Sequence, residues 1–245
     1  MPAGALAITP VRRGPQRAGD RLQSAPQHPV PVFPLPGTVL FPHVGMPLHI
    51  FELRYRTMIR DALSRGRLLG LATLKPGWEA DYYGSPEFHP LGCLARIEEV
   101  EWLPNDCYNL RIVGLTRVHF ARIVSEYPYR AARVEVLPQH PYPEDDPFIQ
   151  LEKNDLAVVF ERLLAALGVD PLQAHVDRKA PYGALVNALC AGVELPVDTR
   201  LELLAIDSLV ERGTRIRELT EQRLRSGVRP RRESKPAPEE GGERN

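Results

Sequence analysis

Apolar and polar positions follow two different rhythms along this chain, and the change falls near residue 138. The most patterned stretch is PVFPLPGTVLFPHVGMPLHIFELRYRTMIRDAL, Pro31 to Leu63, an apolar ribbon punctuated by proline and glycine that runs into a helical repeat. Val32, Phe33, Leu35, Val39, Leu40 and Phe41 are strand formers. Pro34, Pro36 and Gly37 interrupt them, which predicts short edge strands and a turn where backbone donors are not needed. Pro42 and Gly45 then reverse the chain, and Met46 to Ile50 predicts another short strand. From Phe51, apolar side chains recur at Tyr55, Met58, Ile59, Ala62 and Leu63, the spacing that lines one helix face. Glu52, Arg54, Arg56, Arg60 and Asp61 lie opposite.

Leu68 to Leu74 is a continuous apolar run suited to a buried strand. Between residues 92 and 103 the alternation slips: Cys93, Ala95 and Ile97 share one phase, Val100 and Trp102 the other, and a bulge at Glu98 and Glu99 repairs it. Pro104, Asn105 and Asp106 supply turn chemistry, and Tyr108, Leu110 and Ile112 resume alternation, which predicts a hairpin. Val118, Phe120 and Val124 mark a further strand, and Ala132, Val134 and Val136 the last. So many short strands with one early helix predict a curled sheet or small barrel.

The segment PQHPYPEDDP, Pro138 to Pro147, continues neither strand nor helix and is a candidate linker. Beyond it the period is helical. Leu156, Val159, Phe160, Leu163, Leu164 and Leu167 line one face, with Gly168 as the stop. Tyr182, Leu185, Val186 and Leu189 line a second helix. Asp198 is placed to cap a third, with Leu201, Leu204, Ala205 and Leu209 facing the core. Glu211 with Arg215 and Glu221 with Arg225 are spaced for ion pairs along its extension.

Three segments resemble one family: FPLPGTVLFPHVGMPLHIFELRYRTMI, LGCLARIEEVEWLPNDCYNLRIVGLTRVHFARI and LVNALCAGVELPVDTRLELLAIDSLVERGTRIREL. Their order and spacing resemble the N-terminal, substrate-binding domain of the ATP-dependent Lon proteases, and in particular the small free-standing bacterial proteins built from that module. The resemblance spans about residues 29 to 224. It implies an α+β fold in which a PUA-like pseudo-β-barrel with one early helix is followed by a C-terminal helical bundle. The periodicity reaches the division into a strand-rich and a helical half but not the PUA-like topology. The expected organisation is a disordered tail over 1–28, a β-domain over 29–137, a linker over 138–147, a helical subdomain over 148–226 and a disordered tail over 227–245.

The 31 basic and 31 acidic side chains cancel, so the composition has none of the basic excess of a general nucleic-acid binder. Cys93, Cys107 and Cys190 are too far apart for a metal knuckle or redox pair, and neither a signal-peptide core nor a long apolar run is present. These features predict a cytoplasmic protein with reduced, buried thiols and no membrane association. A Lon protease also needs a phosphate-cradling glycine loop and a Ser–Lys peptidase pair. The chain has no G-x-x-x-x-G-K sequence, and Lys75, Lys153, Lys179 and Lys235 stand in no recognisable nucleophile setting. The resemblance therefore covers a recognition module with no cofactor and no catalytic site.

His43 and His49 flank Gly45, and His89, His119, His140 and His175 are dispersed without the second ligands or orienting carboxylates of a metal site. The loop KPGWEADYYGSPEFHP, Lys75 to Pro90, sets Trp78, Tyr82, Tyr83 and Phe88 among glycine, proline and acidic residues. These four aromatics are the candidate peptide-binding residues; the competing expectation is that two or three of them fold back to close the barrel core. The leading reading is a non-enzymatic module that binds exposed or unfolded polypeptide segments, its cleft lying between the two halves, with clients or a protease or chaperone as partners. An RNA-binding alternative rests on the PUA-like architecture and on Arg54, Arg56, Arg60, Arg65 and Arg67; a hydrolase would need an acidic residue beside His49 or His119.

Overall fold

The computed structural model describes residues 25–82, 84–169 and 178–227. Most of both expected tails, Tyr83 and His175 lie outside them. Six strands come first: β1 (Val30–Leu35), β2 (Gly45–Ile50), β3 (Leu68–Leu74), β4 (Phe88–Leu103), β5 (Cys107–Ser125) and β6 (Ala131–Val136), with helix α1 (Leu53–Ser64) between β2 and β3. They form one sheet in the order β2-β5-β4-β3-β1-β6, and β6 pairs again with β5. The sheet thus curls back on itself. Only the pairs Val30↔Ala132 and Pro31↔Ala131 join β1 to β6, so the result is a pseudo-barrel and not a closed one.

The proline-rich ribbon departs from its expected edge position. Val32 to Leu35 pairs in parallel with Gly70 to Thr73, which places β1 inside the sheet. The prolines are accommodated because the ladder on the other side is so short that few donors are demanded there. Val39, Leu40 and Phe41 form no strand, yet all three are buried. Leu40 joins the core under α1, while Val39 and Phe41 point into the helical core. This ribbon is therefore the seam between two hydrophobic cores. Helix α1 begins at Leu53, and Phe51 stands outside its buried face.

The bulge in β4 falls where the phase slip placed it: Ile97 faces Ile112 and Glu99 faces Arg111, leaving Glu98 as the extra residue. Arg111 bonds Glu98 at 3.0 Å and Glu99 at 2.9 Å. The hairpin turns through Asn105 and Asp106, both in the left-handed region at φ 63° and 61°. Where the pattern predicts two strands after the turn, β5 is continuous. A second bulge at Leu115, between the pairs Leu94↔Thr116 and Ala95↔Gly114, shifts the phase without ending the ladder.

The helical half comprises α2 (Pro147–Ala166), α3 (Tyr182–Gly192), α4 (Val197–Ala205) and α5 (Leu209–Arg225). Asp146 caps α2 by accepting from the Phe148 N–H at 2.8 Å, with Pro147 in the first turn. Gly168, at φ 73°, follows the end of that helix. The expected third helix is in fact two. Asp198 lies in the first turn of α4 and not at its cap, the chain breaks at Ile206 to Ser208, and Ser208 caps α5 through the Glu211 N–H. Ala205 is exposed at the break. Arg215 pairs with Glu218 at 3.4 Å in place of Glu211, and Arg225 reaches Glu221 at 4.0 Å.

All three thiols are free; Cys93 and Cys190 are buried and Cys107 is half-buried, contrary to the expectation of three buried thiols. Native protein is expected to yield one thiol per chain to an aromatic disulfide reagent at pH 8, and three after denaturation. Burial pushes the Cys93 and Cys190 thiols up to about 12. Tyr55 and Tyr129 are also raised to about 12 by burial, Tyr129 additionally by its hydrogen bond to Asp61. Raised values mean that the folded chain binds more protons than the unfolded one above pH 9, so stability falls as pH rises from 9 towards 12. Tyr82, Tyr108 and Tyr182 are raised by burial too, which makes seven such groups among the described residues. Arg212, lowered by burial and by Arg117 to about 10, acts in the opposite sense, as do Arg130 and Arg200, three groups against seven. A melting temperature that stays level from pH 9 to 11 would contradict this account.

Candidate functional site

The N-terminal end of α1 is clamped from two sides. Glu52 occupies the cap position with extended backbone, but its carboxylate does not cap the helix. One oxygen accepts from Arg54 Nε at 3.0 Å and the other from the Tyr82 hydroxyl at 2.9 Å. Arg54 also donates to the Tyr82 carbonyl at 3.1 Å, and its guanidinium lies 4.6 Å from the centre of the Tyr55 ring and 5.4 Å from that of Tyr82. Trp78, in a short 3-10 turn, meets Tyr82 edge-on at 5.5 Å. Burial and the bond to Glu52 both push the Tyr82 phenol up. Lys75 and Glu87 close the base of this loop at 2.7 Å.

On the other side, the tip of the β4–β5 hairpin lies against the same helix. Arg56 donates to the Asn105 carbonyl at 2.8 Å, and Asp106 takes ion pairs from Arg56 at 3.6 Å and Arg60 at 3.4 Å. The Tyr108 hydroxyl donates to Asp106 at 3.1 Å, and Trp102 packs edge-on over Tyr108 at 4.8 Å.

Three large apolar side chains remain uncovered around this clamp: Phe51 is 60 %, Leu53 66 % and Trp102 63 % exposed. Phe51 and Leu53 stand at the start of α1, Trp102 beside the hairpin tip and Trp78 with Tyr82 in the loop; exposed apolar side chains of this kind mark interaction sites where they are contiguous. His49 stacks on Phe51 at 5.9 Å and bonds Asn109 at 2.8 Å, and Asn109 in turn donates to Glu101 at 2.8 Å.

Of the four aromatics expected from the loop, the structure brings Trp78 and Tyr82 together. Phe88 goes elsewhere: it lies on β4, edge-on to Phe120 at 5.5 Å, with the Arg130 guanidinium 5.3 Å from its ring centre. It belongs to the edge of a core cluster, as the competing expectation holds for part of the loop. Phe51, Leu53 and Trp102 escaped the sequence reading. For Leu53 a signal was present, since it lies off the apolar stripe of α1; Trp102 gave none, because once the bulge is counted it shares the face of Ile97 and Val100, opposite buried Tyr108.

Between the two halves, where the cleft is expected, the described residues form a packed core. Val39 and Phe41 pack there among helical side chains, with Val44 and Leu91 beside them. A groove of about 730 Å³ lies between α1, the chain entering β1 and the β5–β6 hairpin, with Asp61, Arg65, Val124 and Tyr129 in its walls. His43 sits in a turn at φ 65°, and His49 contacts a neutral amide where a hydrolase would need a carboxylate. Among the described residues no group of three or more His, Cys, Asp or Glu side chains is arranged to hold a metal ion. Nor is any helix there long and apolar enough to cross a membrane.

The fold is a pseudo-barrel carrying a helical bundle, with exposed apolar side chains at the start of α1. Residues 29–222 match the family model described as the ATP-dependent protease La (LON) substrate-binding domain, and the chain belongs to that family. It is 26% identical over 198 residues to a Lon protease of Anaeromyxobacter dehalogenans, covering 78% of this chain and 22% of that one. It is 26% identical over 192 residues to Lon protease 2 of Myxococcus xanthus, covering 78% and 23%. The chain thus spans less than a quarter of either relative. Among solved structures, the Lon N-terminal domain protein of Xanthomonas campestris superposes with a TM-score of 0.56 at 24% identity, covering 77% of this chain and 96% of that one. The N-terminal domain of a Mycobacterium avium complex Lon protease does so with 0.53 at 18% identity, covering 79% and 98%. Both likenesses concern the fold. The match takes in the substrate-binding domain and no catalytic domain.

Proposed function

We propose that this chain is a non-catalytic polypeptide-recognition module that holds exposed apolar segments of unfolded proteins for proteolysis or quality control. The observation that carries this reading is family membership over residues 29–222, joined to the uncovered apolar side chains at the start of α1. Rigid aromatic and aliphatic anchors give contact area at low entropic cost, which suits a site that must accept many sequences. Trp78 and Tyr82 contribute to the same surface. The arginines that prompt an RNA-binding reading favour it less. Arg54 is paired with Glu52, Arg56 and Arg60 with Asp106, and Arg67 reaches the Glu98 carbonyl at 3.4 Å.

Fluorescence anisotropy with labelled, reduced and carboxymethylated α-lactalbumin tests the proposal. Wild-type protein is expected to bind, with little dependence on salt. A Leu53→Ser/Trp102→Ser variant is expected to bind at least about tenfold more weakly, which corresponds to about 1.4 kcal/mol. Its melting temperature should fall by only about 2–4 °C, the loss of the Trp102–Tyr108 ring contact, because both side chains otherwise face solvent. Trp78→Ala/Tyr82→Ala should weaken binding as well, with a modest fall in melting temperature from loss of the Glu52 bond. Absence of wild-type binding, or equal binding by all three proteins, would refute the reading; salt-sensitive retention of RNA would replace it.

A further inference from the structure

β2 is the terminal strand of the sheet, and its only ladder among the described residues is with β5, from Gly45↔Val113 to Ile50↔Tyr108. The Gly114 N–H donates to the Val44 carbonyl at 3.0 Å, just beyond that ladder. This bond sets the parity of an antiparallel pair: residues 44, 46, 48 and 50 turn their backbone groups towards β5, and residues 45, 47 and 49 turn theirs away. Pro47 fits this parity, since a proline is tolerated in an edge strand where its nitrogen faces outward. The outer edge therefore presents the N–H groups of Gly45 and His49 and the carbonyls of Gly45, Pro47 and His49. None of these five groups has a hydrogen-bond partner among the described residues. The strand also has two distinct faces. Met46, Leu48 and Ile50 lie opposite Ile112, Leu110 and Tyr108 on the core side, whereas Pro47 and His49 are exposed. Phe51 and Leu53, both uncovered, follow directly.

We infer that β2 holds a client by strand addition, an extended polypeptide segment becoming the next strand of the sheet. This rests on the polypeptide-recognition reading above and says how the client is gripped. The segment's backbone bonds to residues 45, 47 and 49. Its alternate apolar side chains extend the face of Met46, Leu48 and Ile50. Backbone bonding asks nothing of the client's sequence beyond alternation. A second copy of this chain suits the edge less well. In a two-fold antiparallel pairing of β2 with itself, two Pro47 residues fall near the centre of a six-residue ladder and remove two donors.

A labelled nonapeptide, Lys-Thr-Val-Thr-Val-Thr-Val-Thr-Lys, and two derivatives N-methylated on every valine or on every threonine separate backbone from side-chain recognition. In an added strand the residues facing Met46, Leu48 and Ile50 point their N–H groups away from β2. With valine on that face, valine methylation is expected to change the dissociation constant less than about threefold. Threonine methylation blocks the bonded edge and is expected to weaken binding at least about tenfold. Hydrogen exchange at the Gly45 and His49 amides is expected to slow when the unmodified peptide binds. Equal effects of the two methylations, the reverse order, or unchanged exchange at those amides would overturn strand addition. So would failure of all three peptides while unfolded α-lactalbumin still binds, or a dimer through β2 that the peptide does not dissociate. Failure of α-lactalbumin itself would instead remove the underlying proposed function.

Discussion

Replacing Arg117 by Met is expected to lower the unfolding free energy by about 3 kcal/mol, which for a domain of this size is a fall in melting temperature of about 6–12 °C. Arg117 rises from β5, is 1 % exposed, and joins three parts of the chain. It donates to the Leu204 carbonyl at 3.0 Å and the Ala205 carbonyl at 3.2 Å, both at the end of α4. It also donates to the Pro138 carbonyl in the connecting segment and pairs with Asp207 at 2.8 Å. The Asp207 carbonyl in turn accepts from the Gln139 side chain at 2.7 Å and the His140 N–H at 3.2 Å. Methionine fills similar space but leaves these acceptors without their common donor; the Leu204 bond is buried and the others partly so, and an orphaned group costs about 1–3 kcal/mol where it is buried. Removing a buried charge close to Arg212 gives part of this back, which is why the expected loss stays near the lower end of the sum. Lysine should recover little, because one ammonium cannot span acceptors on three segments. Thermal unfolding followed by circular dichroism measures the difference; a change under about 1 kcal/mol would mean that the halves are held together by apolar packing alone.

Gly114→Ala is expected to destabilise by a similar amount, about 3 kcal/mol, for a different reason. A Cβ atom at this position would lie 2.2 Å from the Phe41 carbonyl oxygen, 2.9 Å from its carbon and 3.0 Å from Cys93 Sγ. The first two are backbone atoms of the seam between the cores, and backbone does not step aside as the end of a flexible side chain does. The Gly114 carbonyl also accepts the His43 N–H at 2.7 Å, so moving the strand away breaks the bond that holds the turn. Urea unfolding should show a lower midpoint with an unchanged slope, the mark of lost stability without a change in the surface exposed.

These two positions show where sequence reasoning stops. The change of rhythm at residue 138, the helical faces of α1 to α3, the bulge at Glu98 and the turn at Asn105 were all legible, because each is a local consequence of side-chain period or turn chemistry. The continuity of β5 was not. A bulge at Leu115 looks in sequence like the end of one strand and the start of another, and only the unbroken ladder with β4 distinguishes them. The break between α4 and α5 was hidden for a related reason. The apolar period runs past Ile206 to Ser208, and what stabilises the break is Arg117 from β5 donating to the Leu204 and Ala205 carbonyls, together with Arg212 of α5 donating to the Ile206 carbonyl. In the aromatic loop the sequence could not tell that Trp78 and Tyr82 meet each other while Phe88 packs on Phe120, since both contacts depend on how the loop folds back.

By itself the sequence determined a strand-rich half, a helical half and a likeness to a substrate-binding domain, since those follow from periodicity and from the order of matched segments. Only the tertiary structure decided which residues face outward together at the start of α1, which edge of the sheet is left unpaired, and how the two halves are joined. Such features depend on contacts between residues far apart in the chain, such as Glu52 with Tyr82 or Arg117 with Asp207. Local pattern constrains what a segment becomes, and the energy of nonlocal packing selects what it touches.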